Sequence, residues 1–287
     1  MKREQFLEHF GPWAVVTGAS SGIGTGFAEQ LAAAGLNLVL VARRGETLEA
    51  IGERLSRAHG IEVRAVTADL STADGIERTR RALAEVEVGL LVSNAGGAAM
   101  GAFNRVPVEA LSQMIVLNVL AQMELTHAHT SALLAEGRTG GVILVGSTAG
   151  LQGTPLGASY SGAKAYVLNL GEALNYELMG TGIHVSVLVP GSTDTPSMTA
   201  RDDVDLMTVP MPIMDVEPVV RGGLRAVARN KAVYIPGLMN RIVAGPIGRR
   251  LLSRGMSVSL QGRFMSRCAP ERLMVRPKTT TKRSARD

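Results

Sequence analysis

At 287 residues, with 46% apolar and 19% charged positions, the chain is long enough for one large α/β domain or two small ones around a substantial core. Aromatic residues make up only 3%, so that core has to be built from Ala, Val, Leu, Ile and Met. The single cysteine, Cys268, excludes an internal disulfide, and no apolar run approaches the roughly 18 residues of a membrane span. Met1–His9 is polar and of mixed charge rather than a leader, so a soluble, cytoplasmic protein is expected.

Ala14–Thr17 reads as the first strand. Thr17-Gly18-Ala19-Ser20-Ser21-Gly22-Ile23-Gly24 follows it directly and opens a helix over Gly22–Ala34. Glycine removes the Cβ that would hold a backbone away from a pyrophosphate, and a helix N-terminus offers free N–H groups and partial positive charge. A nucleotide cofactor is therefore expected here. Leu38–Ala42 is the second strand and ends in Arg43-Arg44, with no acid until Glu46. An acid at this place would bind a ribose 2′-hydroxyl and repel a 2′-phosphate. Two guanidinium groups favour the phosphate, so NADP is expected over NAD, with Arg43 the stronger contact.

Further strands are expected at Val63–Thr67, Gly89–Ser93, Val142–Gly146, His184–Val189 and Ala232–Ile235, with helices over Thr47–Ala58, Thr72–Val86, Val108–Ala135 and Ser159–Leu178. Continuous apolar strands separated by helices imply a parallel sheet covered on both faces, and right-handed crossovers make it doubly wound. On the Ser159–Leu178 helix, Tyr160 and Lys164 lie four residues apart and share a face. A phenol with a pKa of about 10 is a poor acid or base at neutral pH, and a neighbouring ammonium stabilises its phenolate. His127 and His129 are two apart, diverge on a helix and cannot chelate one metal, so no metal is expected.

Pro190–Pro218 is rich in Pro, Met and Asp and weakly periodic, which suits a lid over 192–218 lined by its methionines. Residues 237–270 return to basic-apolar helical spacing at Ile242, Val243, Ile247, Leu251 and Leu252, and 277–287 reads as a disordered end. The division expected is a catalytic domain over 1–236 and a basic helical extension over 237–287. The net charge of +5 belongs to that extension: residues 1–240 carry 18 Lys/Arg against 23 Asp/Glu, and 241–287 carry 12 against two. Such asymmetry suits an arm for nucleic acid or an anionic membrane, and equally a solvated helix. No nucleic-acid partner is expected, and peripheral membrane contact stays open.

The Gly-x-x-x-Gly-x-Gly spacing of Gly18, Gly22 and Gly24, together with Tyr160 and Lys164, resembles the short-chain dehydrogenase/reductase family in its classical form. The resemblance runs over roughly residues 12–236. It implies a Rossmann-like α/β sheet of about seven strands, and an oxidoreductase moving a hydride between NADP and a carbonyl or alcohol. By the same resemblance Asp69, with Leu70, matches an adenine contact, although Asp69 also reads as a helix cap. Asn94-Ala95-Gly96 resembles the Asn-Asn-Ala-Gly motif beside the adenosine ribose, with Ser93 in place of the first Asn. Asn118 matches the helix asparagine that bends the helix and holds a relay water to the lysine. Ser147, thirteen residues before Tyr160, would hydrogen-bond the substrate oxygen. Pro190, Gly191, Thr193 and Thr195 would hold the nicotinamide. The family pattern also implies a homodimer or homotetramer through the two long helices, and a lipophilic ketosteroid or ketoacyl substrate.

Overall fold

The computed structural model describes residues 2–196, 213–243 and 253–268. Seven strands form one sheet: β1 (Trp13–Thr17), β2 (Asn37–Ala42), β3 (Val63–Thr67), β4 (Val88–Ser93), β5 (Gly140–Val145), β6 (Ile183–Leu188) and β7 (Val233–Tyr234). Their order is β3-β2-β1-β4-β5-β6-β7 and every pairing is parallel, so the chain winds outward from β1 and then reverses to β4. This is a Rossmann-like α/β sheet with seven strands, as the apolar runs imply.

Alternation along each strand feeds two cores. Ala14 and Val16 of β1 face one side, and Trp13 and Val15 the other. The first core is closed by α2 (Gly22–Ala34), α3 (Gly45–His59) and α8 (Val216–Ala228), through Phe27, Leu31, Leu48, Val219 and Val227. The second is closed by α4 (Ala73–Ala84), α6 (Ala121–Ala135) and α7 (Ala158–Glu177), through Ile76, Leu125 and Val167. With few aromatic side chains, close approach does the packing. Gly171 lets α7 lie directly on β6, where a Cβ would collide with Val187.

The long helix expected over Val108–Ala135 is two helices, α5 (Val108–Ile115) and α6, joined by a π turn over Val116–Leu120. Asn118 explains the break. Its side-chain amide donates to Met114 O at 2.9 Å and competes for a carbonyl of the helical ladder, while Ala121 N bonds Val116 O across the wider turn. The polar, mixed-charge stretch at the start, for which no element is expected, contains a helix, α1 (Arg3–Phe10). Eight residues cannot hold a helix alone. This one is pinned by Phe10, which is fully buried, and by Arg3, whose Nε donates to Ala34 O at the end of α2 at 2.8 Å.

After β7 come α9 (Leu238–Val243) and α10 (Arg254–Cys268), the helical stretches of the basic extension. Met198, Met207 and Met211 of the expected lid, and the expected disordered end at 277–287, lie outside the described residues. The two ends of the lid segment are joined, since Thr193 and Met214 form a parallel bridge. No helix among the described residues is long and apolar enough to cross a membrane.

Packing lowers the pKa of two histidines. Burial depresses His129 to about 4, and its Nε2 lies 3.2 Å from Gly141 O. Burial, and then the charge of His184 with ring centroids 4.3 Å apart, depresses His9. Both bind a proton more weakly folded than unfolded, so the stability this contributes is present above pH 6.5 and is lost as pH falls below it. Thermal melting should show a steep loss of stability from pH 6.5 towards 4, with His129 contributing about 3 kcal/mol. His129→Gln, which keeps a donor for Gly141, should lose less over that range; an identical pH slope in wild type and variant would contradict the assignment.

Candidate active site

The site opens at the carboxyl ends of the strands, where the order reverses between β1 and β4. There the chain encloses a cavity of about 1400 Å³. Its floor is a cross-strand clamp. Thr17 Oγ1 accepts from the backbone N–H groups of Asn94 and Ala95, both at 2.9 Å. Asn94 Nδ2 donates back to Thr17 O at 2.8 Å. Asn94 is thereby committed to the scaffold, and Ala95 and Gly96 carry the backbone along the cavity wall.

Above the floor, Gly18, Ser20, Ser21, Gly22 and Ile23 line the cavity at the N-terminus of α2. Gly18 and Gly22 have φ of +67° and +57°, which favour glycine. A Cβ on Gly22 would also press on the Thr195 side chain at 2.8 Å, so glycine lets that residue close over the loop. Gly24 does not line the cavity; a Cβ there would collide with the Gly18 carbonyl from behind. The loop is thus a cradle of backbone N–H groups that any side chain would fill, which fits a diphosphate.

Arg43 and Arg44 stand exposed at the end of β2 and differ in what they do. Arg44 donates to Ser20 O at 3.0 Å and to Ser20 Oγ at 3.1 Å, bracing the glycine loop. Arg43 stays on the rim, where its charge is the smallest of the influences on Asp69. Asp69 accepts from Ser71 N at 3.0 Å and Ser71 Oγ at 2.7 Å; these bonds, then Arg43, hold its carboxyl below the usual range. The cap of α4 is Thr72 instead, whose Oγ1 accepts from Gly75 N at 3.1 Å. Asp69 and the buried Leu70 both line the cavity.

At the other end, Ser147 follows β5 and caps a 3-10 turn over Thr148–Leu151, with its Oγ accepting from Ala149 N at 3.2 Å. Ser147, Tyr160, Lys164, Pro190, Gly191, Thr193 and Thr195 share the cavity wall. The Lys164 Nζ lies 5.9 Å from the Tyr160 ring centroid and donates to Val145 O at 2.9 Å. Only 4% of this lysine is exposed, and burial lowers its pKa from 10.5 to about 8. Asn118 stands behind the wall, with its Nδ2 donating to Gly97 O at 2.8 Å. Its Oδ1 and Lys164 Nζ flank Gly96, 2.8 and 3.3 Å from where a Cβ would be, and Oδ1 has no hydrogen-bond partner among the described residues.

A glycine loop, a buried lysine beside a tyrosine, and a serine thus border one cavity. Residues 12–205 match the short chain dehydrogenase family. The chain belongs to that family. As a short-chain dehydrogenase it is an oxidoreductase of hydroxyl and carbonyl groups. The 7beta-hydroxysteroid dehydrogenase of Clostridium sardiniense is 33% identical over 236 residues, 82% of this chain and 89% of its own. A solved short-chain dehydrogenase of Sphingobium yanoikuyae in complex with NADPH superposes with a TM-score of 0.75 at 32% identity, covering 95% of this chain and 99% of its own. The bulky-bulky ketone specific alcohol dehydrogenase of Comamonas testosteroni superposes with a TM-score of 0.71 at 29% identity, over 96% and 99% of the two chains.

Two residues of this short-chain dehydrogenase that motif reading does not single out help to build the site. Thr17 is the polar end of an otherwise apolar strand, a signal visible in the sequence but not specific. Asn240 of α9 is buried beneath the Pro190–Gly191 turn, where a Cβ on Gly191 would meet its amide at 2.7 Å. It comes from the extension, so only the folded chain brings it there.

The buried ammonium of Lys164 weakens the fold that holds it. Its pKa is lower folded than unfolded, so at neutral pH keeping it charged costs about 3 kcal/mol, a cost that fades as pH rises from about 8 to 10.5. Lys164→Met should therefore melt higher than wild type at pH 7 while losing turnover, and the gap should narrow towards pH 10. A variant that melts lower at pH 7 would mean that the bond to Val145 O outweighs the desolvation.

Proposed function

We propose that this short-chain dehydrogenase is an NADPH-dependent carbonyl reductase or alcohol dehydrogenase whose substrate is a bulky lipophilic ketone or secondary alcohol, such as a ketosteroid. The observation that carries the reading is that Ser147, Tyr160 and Lys164 share one cavity with a phosphate cradle whose β2 side ends in two arginines and no acid. The relatives are consistent with it. One is named for a hydroxysteroid, another is an alcohol dehydrogenase specific for bulky ketones, and a third holds NADPH.

In this reading the loop from Gly18 to Ile23 holds the diphosphate, Asp69 and Leu70 border the adenine, and Arg43 takes the 2′-phosphate. The turn from Pro190 to Thr195 and Lys164 hold the nicotinamide end. When bound, the nicotinamide supplies or accepts the hydride. Ser147 and Tyr160 bind the substrate oxygen between their hydroxyls, which fixes the carbonyl carbon and stabilises charge developing on oxygen. In reduction Tyr160 gives its proton to that oxygen as the hydride reaches carbon, and the ammonium of Lys164 stabilises the phenolate left behind. A lysine with its pKa lowered to about 8 gives up a proton more readily than an exposed one, which suits it to restore the phenol. Asn118 positions this relay through the π turn.

Tyr160→Phe should lower turnover by roughly a thousandfold while leaving NADPH affinity within a few-fold of wild type, measured by ketone-dependent NADPH oxidation and by fluorescence titration. Retained turnover would sink the mechanism. The substrate class is tested by a panel of ketosteroids, acyl thioesters, quinones and small ketones; oxidation of NADPH with small ketones alone would overturn the bulky-substrate reading.

The two arginines should separate as their contacts do. Arg43→Ala should cut kcat/KM for NADPH about tenfold or more and leave NADH nearly unchanged. Arg44→Ala, which releases the Ser20 brace, should weaken both cofactors. Equal losses with NADPH and NADH in the Arg43 variant would remove it as the 2′-phosphate contact.

A further inference from the structure

The C-terminal helices present two faces, and only the inner one is used by the fold. On α10, Gln152 Nε2 donates to Gln261 Oε1 at 2.9 Å, and Gln261 Nε2 reaches Thr154 Oγ1 at 3.4 Å. Gly262 packs on Pro155 and Val258 beside Gly153. This inner face is therefore seated on residues 152–155, the segment between Ser147 and Tyr160. On α9 the buried Asn240 serves the same purpose under the Pro190–Gly191 turn.

The outer faces are apolar and open. Leu238 is 66% exposed, Met256 58% and Leu260 61%, with Met239 and Ile242 also exposed, and none belongs to either core. Arg241 and Arg263 stand exposed among them. The segment carrying these residues also holds the chain's positive charge, with 12 Lys/Arg against two acids over 241–287, while the rest is net acidic. Leucine and methionine beside arginine on one outward face suit a surface that takes apolar side chains and cations together. A second copy of the same basic face would repel it, and a nucleic acid would leave the apolar side chains in water.

We propose that α9 and α10 form a docking face for an anionic lipid surface, anchored to the fold through Asn240 and Gln261. The apolar side chains enter the headgroup boundary, and Arg241 and Arg263 pair with lipid phosphates and carboxylates. The helices thus have a role distinct from the chemistry: they station the enzyme on the phase in which lipophilic molecules dissolve.

The test is co-sedimentation of the full-length protein with phosphatidylcholine vesicles, with and without phosphatidylserine, at low and high salt. Expected is pelleting with the anionic vesicles alone, weakened by salt. The combined Met256→Ser, Leu260→Ser, Arg241→Glu and Arg263→Glu variant should partition at least about tenfold less, with melting temperature and activity on a water-soluble ketone unchanged. Equal pelleting of variant and wild type, or none with anionic vesicles, overturns the proposal. So does a protein that binds a nucleic-acid duplex but not vesicles, or one whose self-association alone is lost in the variant. Pelleting reads docking and NADPH oxidation reads chemistry, so failure of one is distinguishable from failure of the other.

Discussion

Thr17 and Asn94 tie together the ends of β1 and β4, two neighbouring strands whose following segments leave in opposite directions. A parallel sheet that winds outward and then reverses leaves a crevice at that point, and its unpaired backbone groups have to be satisfied without filling it. Here a hydroxyl and an amide do so with short bonds across the floor. With the floor fixed, the glycine loop passes over it at a distance that admits no Cβ at Gly24, and α2 points its N-terminus into the opening. The same floor carries Gly96 past Asn118 and Lys164, so the cofactor end and the chemical end share one rigid base.

The chemical end is bought with stability. Lys164 lies in a wall where its Nζ donates to Val145 O, and burial pulls its pKa down. Asn118 interrupts a helix that would otherwise run on, and buries a carbonyl oxygen with no protein partner among the described residues. Each feature is locally unfavourable, and the two meet across Gly96. Conflict between local preference and overall packing is expected where a structure serves chemistry rather than stability.

Much of this was legible in the chain itself. Apolar strands of five or six residues, separated by amphipathic helices, fix a parallel α/β sheet, and the glycine spacing and the arginines after the second strand mark the cofactor end. Less was legible where tertiary contacts outweigh pattern. The helix at Arg3–Phe10 is too short and too polar to be recognised, and exists because Phe10 finds the core and Arg3 finds the end of α2. A bend at Asn118 is implied by the family resemblance, but its form as a π turn comes from competition for Met114 O in the folded helix. Arg43 is favoured over Arg44 from the sequence, but that Arg44 braces the glycine loop is decided only by the placement of Ser20.

Sequence alone therefore determined the element types, the winding of the sheet and the residue types gathered at its carboxyl edge, because these follow from periodicity and from chemistry that few side chains can supply. Only the tertiary structure decided which of those residues are committed to the scaffold, as Asn94 and Arg44 are, and which remain available to a ligand. It also decided that α9 and α10 are seated on the domain through Asn240 and Gln261. The physical reason is one of distance in the chain. Contacts between residues a hundred or more positions apart, such as Gln152 and Gln261, have no local signature, and appear only when the folded sheet brings them within hydrogen-bonding reach.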